Sequence, residues 1–368
     1  MKAYKYKLRP SRRVVETFEQ TLEVCRELYN AALQERRDAW RVSRVSISYN
    51  TQDAQLKYIR AERDDVAAVY SQVNQDVLRR VDRAFAGFFR RVKAKQKAGY
   101  PRFRSTRRYD SFTYPQKGFS LEGDKLYLSK IGSVRVRLSR PIEGEIKTCT
   151  IKREADGWFV IFVVEENQCR YYPKTGETVG IDVGIENFAT LSTGEAISNP
   201  RHLSKAEREL KTAQRRVSRR KKGSNRRRKA VQLLAKKHQK IQRQRQDFFH
   251  KLSLRLIREF DSVAFESLNI EGLKKNHHLA KSISDAAWGT FISIHEGKAE
   301  SANRRVVKVP AAFTSQDCSG CGARVRKSLA VREHRCVACG VVLHRDHNAA
   351  INIKARALPS GMERVASS

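Results

Sequence analysis

Four cysteines stand in two matched pairs, Cys318-x2-Cys321 and Cys336-x2-Cys339, with 14 residues between the pairs. Two CxxC units at this distance let four thiolates meet at one tetrahedral zinc. Each pair is followed by a glycine, Gly322 and Gly340, which suits a tight turn. The competing readings are a redox pair or four unrelated cysteines, and the paired spacing favours zinc. The segment is too short to bury a core of its own, so the metal has to replace one. Four thiolates leave no open coordination position, which makes this Zn2+ structural. His334 and His344 lie nearby and are not needed as ligands; they are expected at the surface or bonded around the site. A second set of residues is acidic. Asp182 interrupts the apolar run Val179-Gly180-Ile181-Asp182-Val183-Gly184, Glu266 ends Val263-Ala264-Phe265, and Asp346 opens a segment whose apolar face is Ala349, Ala350 and Ile353. Singly these read as a turn residue, a strand-end group and a helix cap. A carboxylate inside an apolar strand nevertheless carries a desolvation cost unless it meets a cation. Together, in a strongly basic chain, they fit a cluster that binds two Mg2+ (or Mn2+) ions and hydrolyses a phosphodiester.

The elements that must position these residues follow from periodicity. Residues 2–8 alternate as a strand, and Pro10-Ser11 opens a helix with Val14, Phe18, Leu22, Cys25 and Tyr29 on one face. A second helical stripe, Val66, Val69, Val73, Val77, Val81, Ala84 and Phe88, predicts one long helix over about 65–97. From Tyr100 the period shortens to that of strands, giving a small barrel or sandwich joined to the first strand. Residues 178–197 read as two or three strands with a turn at Gly184. Residues 261–267 and 306–309 are further strands. Residues 282–300 form a helix with Ser284 or Asp285 as its cap, and 345–357 a last helix. Cys25 and Cys149 read as small core residues, and Cys169 receives no role.

The chain has 368 residues with 75 Lys and Arg against 39 Asp and Glu, a formal charge of +36. That charge points to a polyanionic partner. The longest apolar run, Trp158–Val164, is seven residues, far short of the roughly 20 needed to span a bilayer. The basic N-terminus has no apolar stretch of the signal-peptide kind, so a reducing cytoplasm is expected. Residues 201–250 hold 19 Lys or Arg and 3 acids. Broken at Gly223-Ser224-Asn225, they read as two antiparallel helices. Arg215, Arg216, Arg219, Arg220, Lys221, Lys222, Arg226, Arg227 and Arg228 are candidate phosphate contacts. Aromatic and basic residues also interleave over 100–116, where Tyr100, Phe103 and Phe112 suit base stacking and closure of the barrel equally well.

The set GIDVGI, AFESLNI, SISDAAW, FTSQDCSGCG, CVACG and HRDHNAAINI, in this order, resembles the TnpB family, transposon-encoded RNA-guided DNA endonucleases related to type V CRISPR effectors. The resemblance runs from residue 1 to about 357. It implies a ribonuclease H-like RuvC nuclease domain with an inserted zinc ribbon, and a wedge β-barrel with a helical insertion, hence a multidomain α/β plus β-barrel fold. The implied bounds are 1–10 and 99–172 for the wedge and 11–98 for the helical recognition insertion. They are 173–312 and 344–358 for the nuclease domain with its basic hairpin at 203–258, 313–343 for the zinc ribbon, and 359–368 for a flexible tail. The family's catalytic carboxylates map onto Asp182, Glu266 and Asp346, and its zinc ligands onto Cys318, Cys321, Cys336 and Cys339. Gln75, Thr113 and Tyr114 fall near the elements that read an adjacent motif in target DNA. His344 departs from the Asp that many members carry there. The implied partners are a guide RNA and double-stranded target DNA, with one protein monomer per RNA and no membrane. The alternative is a nuclease-inactive RNA-guided repressor on the same scaffold. A tyrosine transposase lacks its His-apolar-His signature here, and a zinc-ribbon transcription factor leaves residues 1–310 unexplained.

Overall fold

The computed structural model describes residues 1–165, 172–328 and 331–358. Cys169 and the tail 359–368 lie outside the described residues. The chain divides into two compact units, residues 1–167 and 168–368. Among the described residues no helix is long and apolar enough to cross a membrane.

The first unit runs β1 (Lys2–Arg9), α1 (Arg12–Ser43), α2 (Tyr49–Glu62), α3 (Asp64–Ala68) and α4 (Ser71–Lys93). It continues with β2 (Ser111–Tyr114), β3 (Phe119–Glu122), β4 (Lys125–Leu128), β5 (Gly132–Arg137), β6 (Glu145–Glu154) and β7 (Gly157–Glu165). The strands form one antiparallel sheet in the order β2-β6-β7-β1-β5-β4-β3, a barrel open along one seam. Tyr4, Tyr6 and Leu8 alternate into a core that also takes Phe18, Leu22 and Cys25 from α1 and Val73, Val77 and Val81 from α4. Phe18 joins the layers, its ring 4.8 Å from that of Trp158 and 5.8 Å from that of Phe112. Phe112 is therefore a core residue.

The long helix expected over 65–97 is broken: α3 ends at Ala68, Val69 and Tyr70 are extended, and α4 begins at Ser71. The break is stable because other side chains take the released carbonyls. Arg60 donates to the carbonyls of Val66 (3.1 Å), Ala67 (3.1 Å) and Val69 (2.8 Å), and Asn74 also donates to Val66 (3.0 Å).

The second unit runs β8 (Thr178–Val183), β9 (Asn187–Leu191), β10 (Ala196–Ser198), α5 (His202–Ser218) and α6 (Asn225–Glu259). It continues with β11 (Ser262–Glu266), α7 (Ile270–Leu273), α8 (Ala280–Ala286), α9 (Trp288–Ser301), β12 (Arg305–Val309), β13 (Glu333–Arg335), β14 (Val342–His344) and α10 (Arg345–Ala357). The sheet order is β10-β9-β8-β11-β12, with β8, β9 and β10 an antiparallel meander and β11 and β12 parallel to β8. This is the ribonuclease H-like arrangement. Odd and even residues of β8 and β11 face opposite layers. Val179, Ile181, Val263 and Phe265 join Phe249, Leu252 and Leu256 of α6 and Phe291 of α9. On the other face Ala264 and Val309 meet Ile353 and Ala357 of α10.

The helix expected to start at Ser284 or Asp285 is different too. It is split at Ala287, which has a φ of 50°. Asp285 does not cap its own helix; its carboxylate accepts from the amides of Leu203 (3.1 Å) and Ser204 (3.3 Å) in the first turn of α5, and pairs with Arg245 of α6 at 2.9 Å. It anchors the base of the basic hairpin, and supplies the side-chain cap that Arg201, the residue before α5, does not.

Gly180 is where α10 rests on the sheet. A Cβ there would lie 2.1 Å from the carbonyl oxygen of Ala350 and 2.4 Å from the amide nitrogen of Lys354. Both are backbone atoms, so α10 would have to lift. Gly180→Ala is expected to destabilise the protein by at least about 1–3 kcal/mol, the scale of overpacking, read as a lowered denaturant midpoint with unchanged slope.

Candidate active site

Parity places the carboxylates. Gly180 and Asp182 lie two apart on β8 and share the face that receives α10. Ala264 and Glu266 do the same on β11, whose Phe265 is in register with Ile181. Ala350 sits over Gly180, and Asp346 is one helical turn before Ala350. The three acids that sequence selects are thus brought to one end of one face. Asp346 is 7 % exposed, while Asp182 and Glu266 are partly exposed.

Their electrostatics are governed first by burial. Burial, and then the negative charges of Glu266 and Asp346, push the Asp182 carboxyl well above its usual range, with Arg345 opposing. Burial also raises Glu266, against a hydrogen bond from the Thr314 hydroxyl and the charge of Arg356. Asp346 occupies the first turn of α10, where the helix dipole favours a negative charge. Arg345 Nε donates to its carboxylate at 3.3 Å, and Arg332 bridges from Glu186 (3.2 Å) to within 4.0 Å of it. Three hard oxygen ligands are the donor type a divalent cation takes, and burial makes two of them resist ionisation without one. His344 is the N-cap of α10, its Nδ1 accepting from the Asp346 amide at 3.3 Å. The imidazole thus supplies the side-chain acceptor that a helix N-cap requires.

The cysteines are closer still. Among the described residues they are the group of metal-ligating side chains whose ligand atoms all lie within 4.8 Å of one another. Cys318 Sγ is 3.6 Å from Cys339 Sγ, and Cys321 Sγ is 3.6 Å from Cys336 Sγ. Sulfurs about 2.3 Å from a shared tetrahedral centre would stand about 3.8 Å apart, so these separations suit one shared Zn2+. Gly322 and Gly340 have φ of 78° and 75°, and each amide bonds back to the first cysteine of its pair. His334, contrary to a surface placement, is fully buried.

Sequence reasoning missed Asn348, Asn352 and Arg356, spaced four apart on the side of α10 that faces the ribbon. Asn348 accepts from the Ser319 amide (2.9 Å) and donates to the Asp317 carbonyl (2.8 Å); Asn352 donates to the carbonyls of Thr314 (2.8 Å) and Asp317 (2.7 Å). Two asparagines at i, i+4 beside an apolar stripe were the available signal.

Several expected nucleic-acid contacts move. Tyr114 is 1 % exposed, its hydroxyl donating to the Ser129 carbonyl and its ring stacked on Tyr70. It is a core residue and is corrected as a reader of DNA. Thr113 is half-buried, its hydroxyl engaged by Arg80 (2.8 Å) and Thr150 (2.9 Å). Gln75 is half-buried on α4. Arg227 is corrected too: its guanidinium donates to the carbonyls of Val217 (2.7 Å) and Arg220 (3.1 Å) and closes the turn between α5 and α6. Arg220 is half-buried, whereas Arg215, Arg216, Arg219, Lys221, Lys222, Arg226 and Arg228 are exposed. Among the described residues no carboxylate pairs with these seven.

Comparison with known proteins decides the family. Profiles described as "Probable transposase", "Cas12f1-like, TNB domain" and "Helix-turn-helix domain" match residues 161–277, 288–353 and 1–44. A Streptomyces pristinaespiralis protein named putative RNA-guided DNA endonuclease is 38 % identical, over 97 % of this chain and 89 % of its own length. A mimivirus TnpB-like protein, L79, is 25 % identical over 60 % of this chain. The chain belongs to the TnpB family. Another relative is InsQ of Escherichia coli K12, a putative RNA-guided DNA endonuclease, 27 % identical over 96 % of this chain and 92 % of its own. A solved Cas12f1–sgRNA–target DNA complex aligns over 97 % of this chain and 99 % of that one, at 16 % identity and a TM-score of 0.37. The segment matching the helix-turn-helix profile holds β1 and the single helix α1 in this TnpB protein.

The raised carboxyl of Asp182 has a consequence for stability. The folded state holds that proton more tightly than the unfolded chain, so stability is lost as pH rises from about 4, the unfolded value, towards the folded value. In Mg2+-free buffer, Asp182→Asn is expected to gain on the wild type as pH rises above about 4, by about 2–4 °C for each kcal/mol. Millimolar Mg2+ at pH 8 should raise the melting temperature of the wild type and not of the variant.

Proposed function

We propose that this TnpB-family chain is an RNA-guided DNA endonuclease, which binds a guide RNA and cleaves matched duplex DNA beside a short adjacent motif. The observation that carries this reading is the convergence of Asp182, Glu266 and Asp346 on one face of a ribonuclease H-like sheet, in a chain of charge +36. The names of its relatives agree with it. Asp182, Glu266 and Asp346 would hold Mg2+ (or Mn2+), which supplies the Lewis acidity for hydrolysing a phosphodiester. Asp182 binds a cation as the carboxylate, the form that burial disfavours when no cation is present. Thr314 orients Glu266 by its hydrogen bond, and His344 and the first turn of α10 fix Asp346. Cys318, Cys321, Cys336 and Cys339 would hold a structural Zn2+, and Asn348 and Asn352 tie that ribbon to the helix bearing Asp346. The exposed cations around the α5–α6 turn would grip RNA phosphates. Sequence selection would come from pairing between guide and target. The protein would act as a monomer in a prokaryotic cytoplasm.

Asp182→Ala should bind RNA and matched DNA normally yet lose cleavage by at least about 1,000-fold, since a lost metal contribution of several kcal/mol is worth that much. The measurement is a cleavage gel with and without EDTA, followed by Mg2+ or Mn2+ add-back. A wild-type protein that binds matched DNA and cuts under no divalent metal would move the function to that of a guided repressor. For the hairpin, Arg219, Lys221 and Lys222 changed together to Ala should flatten the salt dependence of RNA binding by about 2 in log–log slope, with no change in melting temperature. An unchanged slope would make these side chains a solvated face.

A further inference from the structure

The turn between β12 and the ribbon carries a side chain that neither the carboxylates nor the cysteines employ. Phe313 is 47 % exposed, while its neighbour Thr314 is 3 % exposed and donates to Glu266. One exposed ring is ordinary, but this one is held in place. Phe313 has a φ of 63°, in the left-handed region that an aromatic residue seldom occupies. Arg356 fixes the turn before it, donating to the carbonyls of Pro310 (2.9 Å) and Ala312 (2.8 Å), and Asn352 fixes it after, through the carbonyl of Thr314 (2.8 Å). The amides of Gln316 and Asp317 both donate to the Phe313 carbonyl at 2.9 Å. One face of the ring is covered by the Arg324 guanidinium, 3.7 Å from the centroid. Asp317 holds that guanidinium at 3.0 Å and is itself held by Arg356 at 3.1 Å. With one face covered, the exposure that remains belongs to the opposite face and the edge.

We infer that Phe313 is a stacking platform for a nucleobase of the single-stranded DNA that enters the carboxylate cluster, an inference that rests on the nuclease reading above. A strand delivered to that cluster has lost its partner and much of its base stacking. An aromatic face recovers stacking without regard to sequence, because every base has a π-face. Phe313 immediately precedes Thr314, whose hydroxyl donates to Glu266, so one turn carries both the ring and the partner of that acid. Arg324, about half exposed, adds a cation where the strand's backbone passes. The clamp from α10 makes the platform rigid with respect to Asp346. Phe313 is thus a substrate-positioning residue with no proton or metal to handle.

The test uses full-length, RNA-loaded protein carrying Asp182→Ala, so that bound DNA stays whole. It is titrated with single-stranded DNA of a sequence unrelated to the guide, with 2-aminopurine at every third position. Fluorescence is expected to fall on binding. Adding Phe313→Ala should abolish the fall and weaken binding about 10-fold, within the range for losing one base–aromatic stack, while Phe313→Trp retains both. Phe313→Leu, which keeps apolar cover over Arg324, together with melting temperature and zinc content, separates lost stacking from a damaged fold. Equal quenching and affinity with and without Phe313 would overturn the assignment, as would Phe313-dependent quenching by an RNA oligonucleotide alone. Phe313-dependent quenching in a protein whose Asp182 form cuts nothing would sink the nuclease reading and leave the platform standing. Normal cutting with Phe313-independent quenching would do the reverse.

Discussion

The contact between Gly180 and the backbone of α10 is the constraint on which the second unit turns. A helix can lie this close to a strand only where the strand has no side chain, and β8 provides that gap two residues before Asp182. With the gap filled, the helix would stand off the sheet and carry Asp346 away from Asp182 and Glu266. The same closeness explains why Ala264, Ala350 and Ala357 are small. The acids are therefore assembled by steric fit of apolar surfaces, and not by mutual attraction, which like charges cannot supply.

The ribbon extends this arrangement. Its last strand, β14, leads without a linker into α10, so the cap, the first turn and the acid follow the cysteine segment in covalent order. Asn348 and Asn352 then pin the loop before the first cysteine pair to the same helix. The cysteine cluster and the carboxylate cluster are two ends of one hydrogen-bonded piece, although no residue belongs to both.

Much of this was legible in the sequence. Spacing alone selected the four cysteines, because a tetrahedral site needs two turns that each present two sulfurs. Asp182 and Glu266 stood out as charges breaking apolar strands, and Asp346 by its place before an apolar helix face; these are local patterns of period two and four. What was not legible depends on side-chain partners that no local period marks. The break between α3 and α4 is sustained by Arg60, and the role of Asp285 is fixed by α5, some 80 residues away. Burial removed Tyr114 from the set of contact residues, and two carbonyls across the α5–α6 turn removed Arg227. Motif and charge identify residue types, whereas partners are set by packing.

The order of elements also has a consequence in time. Asp182 and Asp346 are 164 residues apart (346 − 182), and at about 5–20 residues per second a ribosome needs roughly 8–33 s to pass from one to the other. The basic helices α5 and α6 emerge within that interval, and the last acid only after them. A nascent chain therefore presents its charged hairpin to the cell well before its acid set is complete. Every translation product truncated ahead of α10 is left with cations and without the third carboxylate.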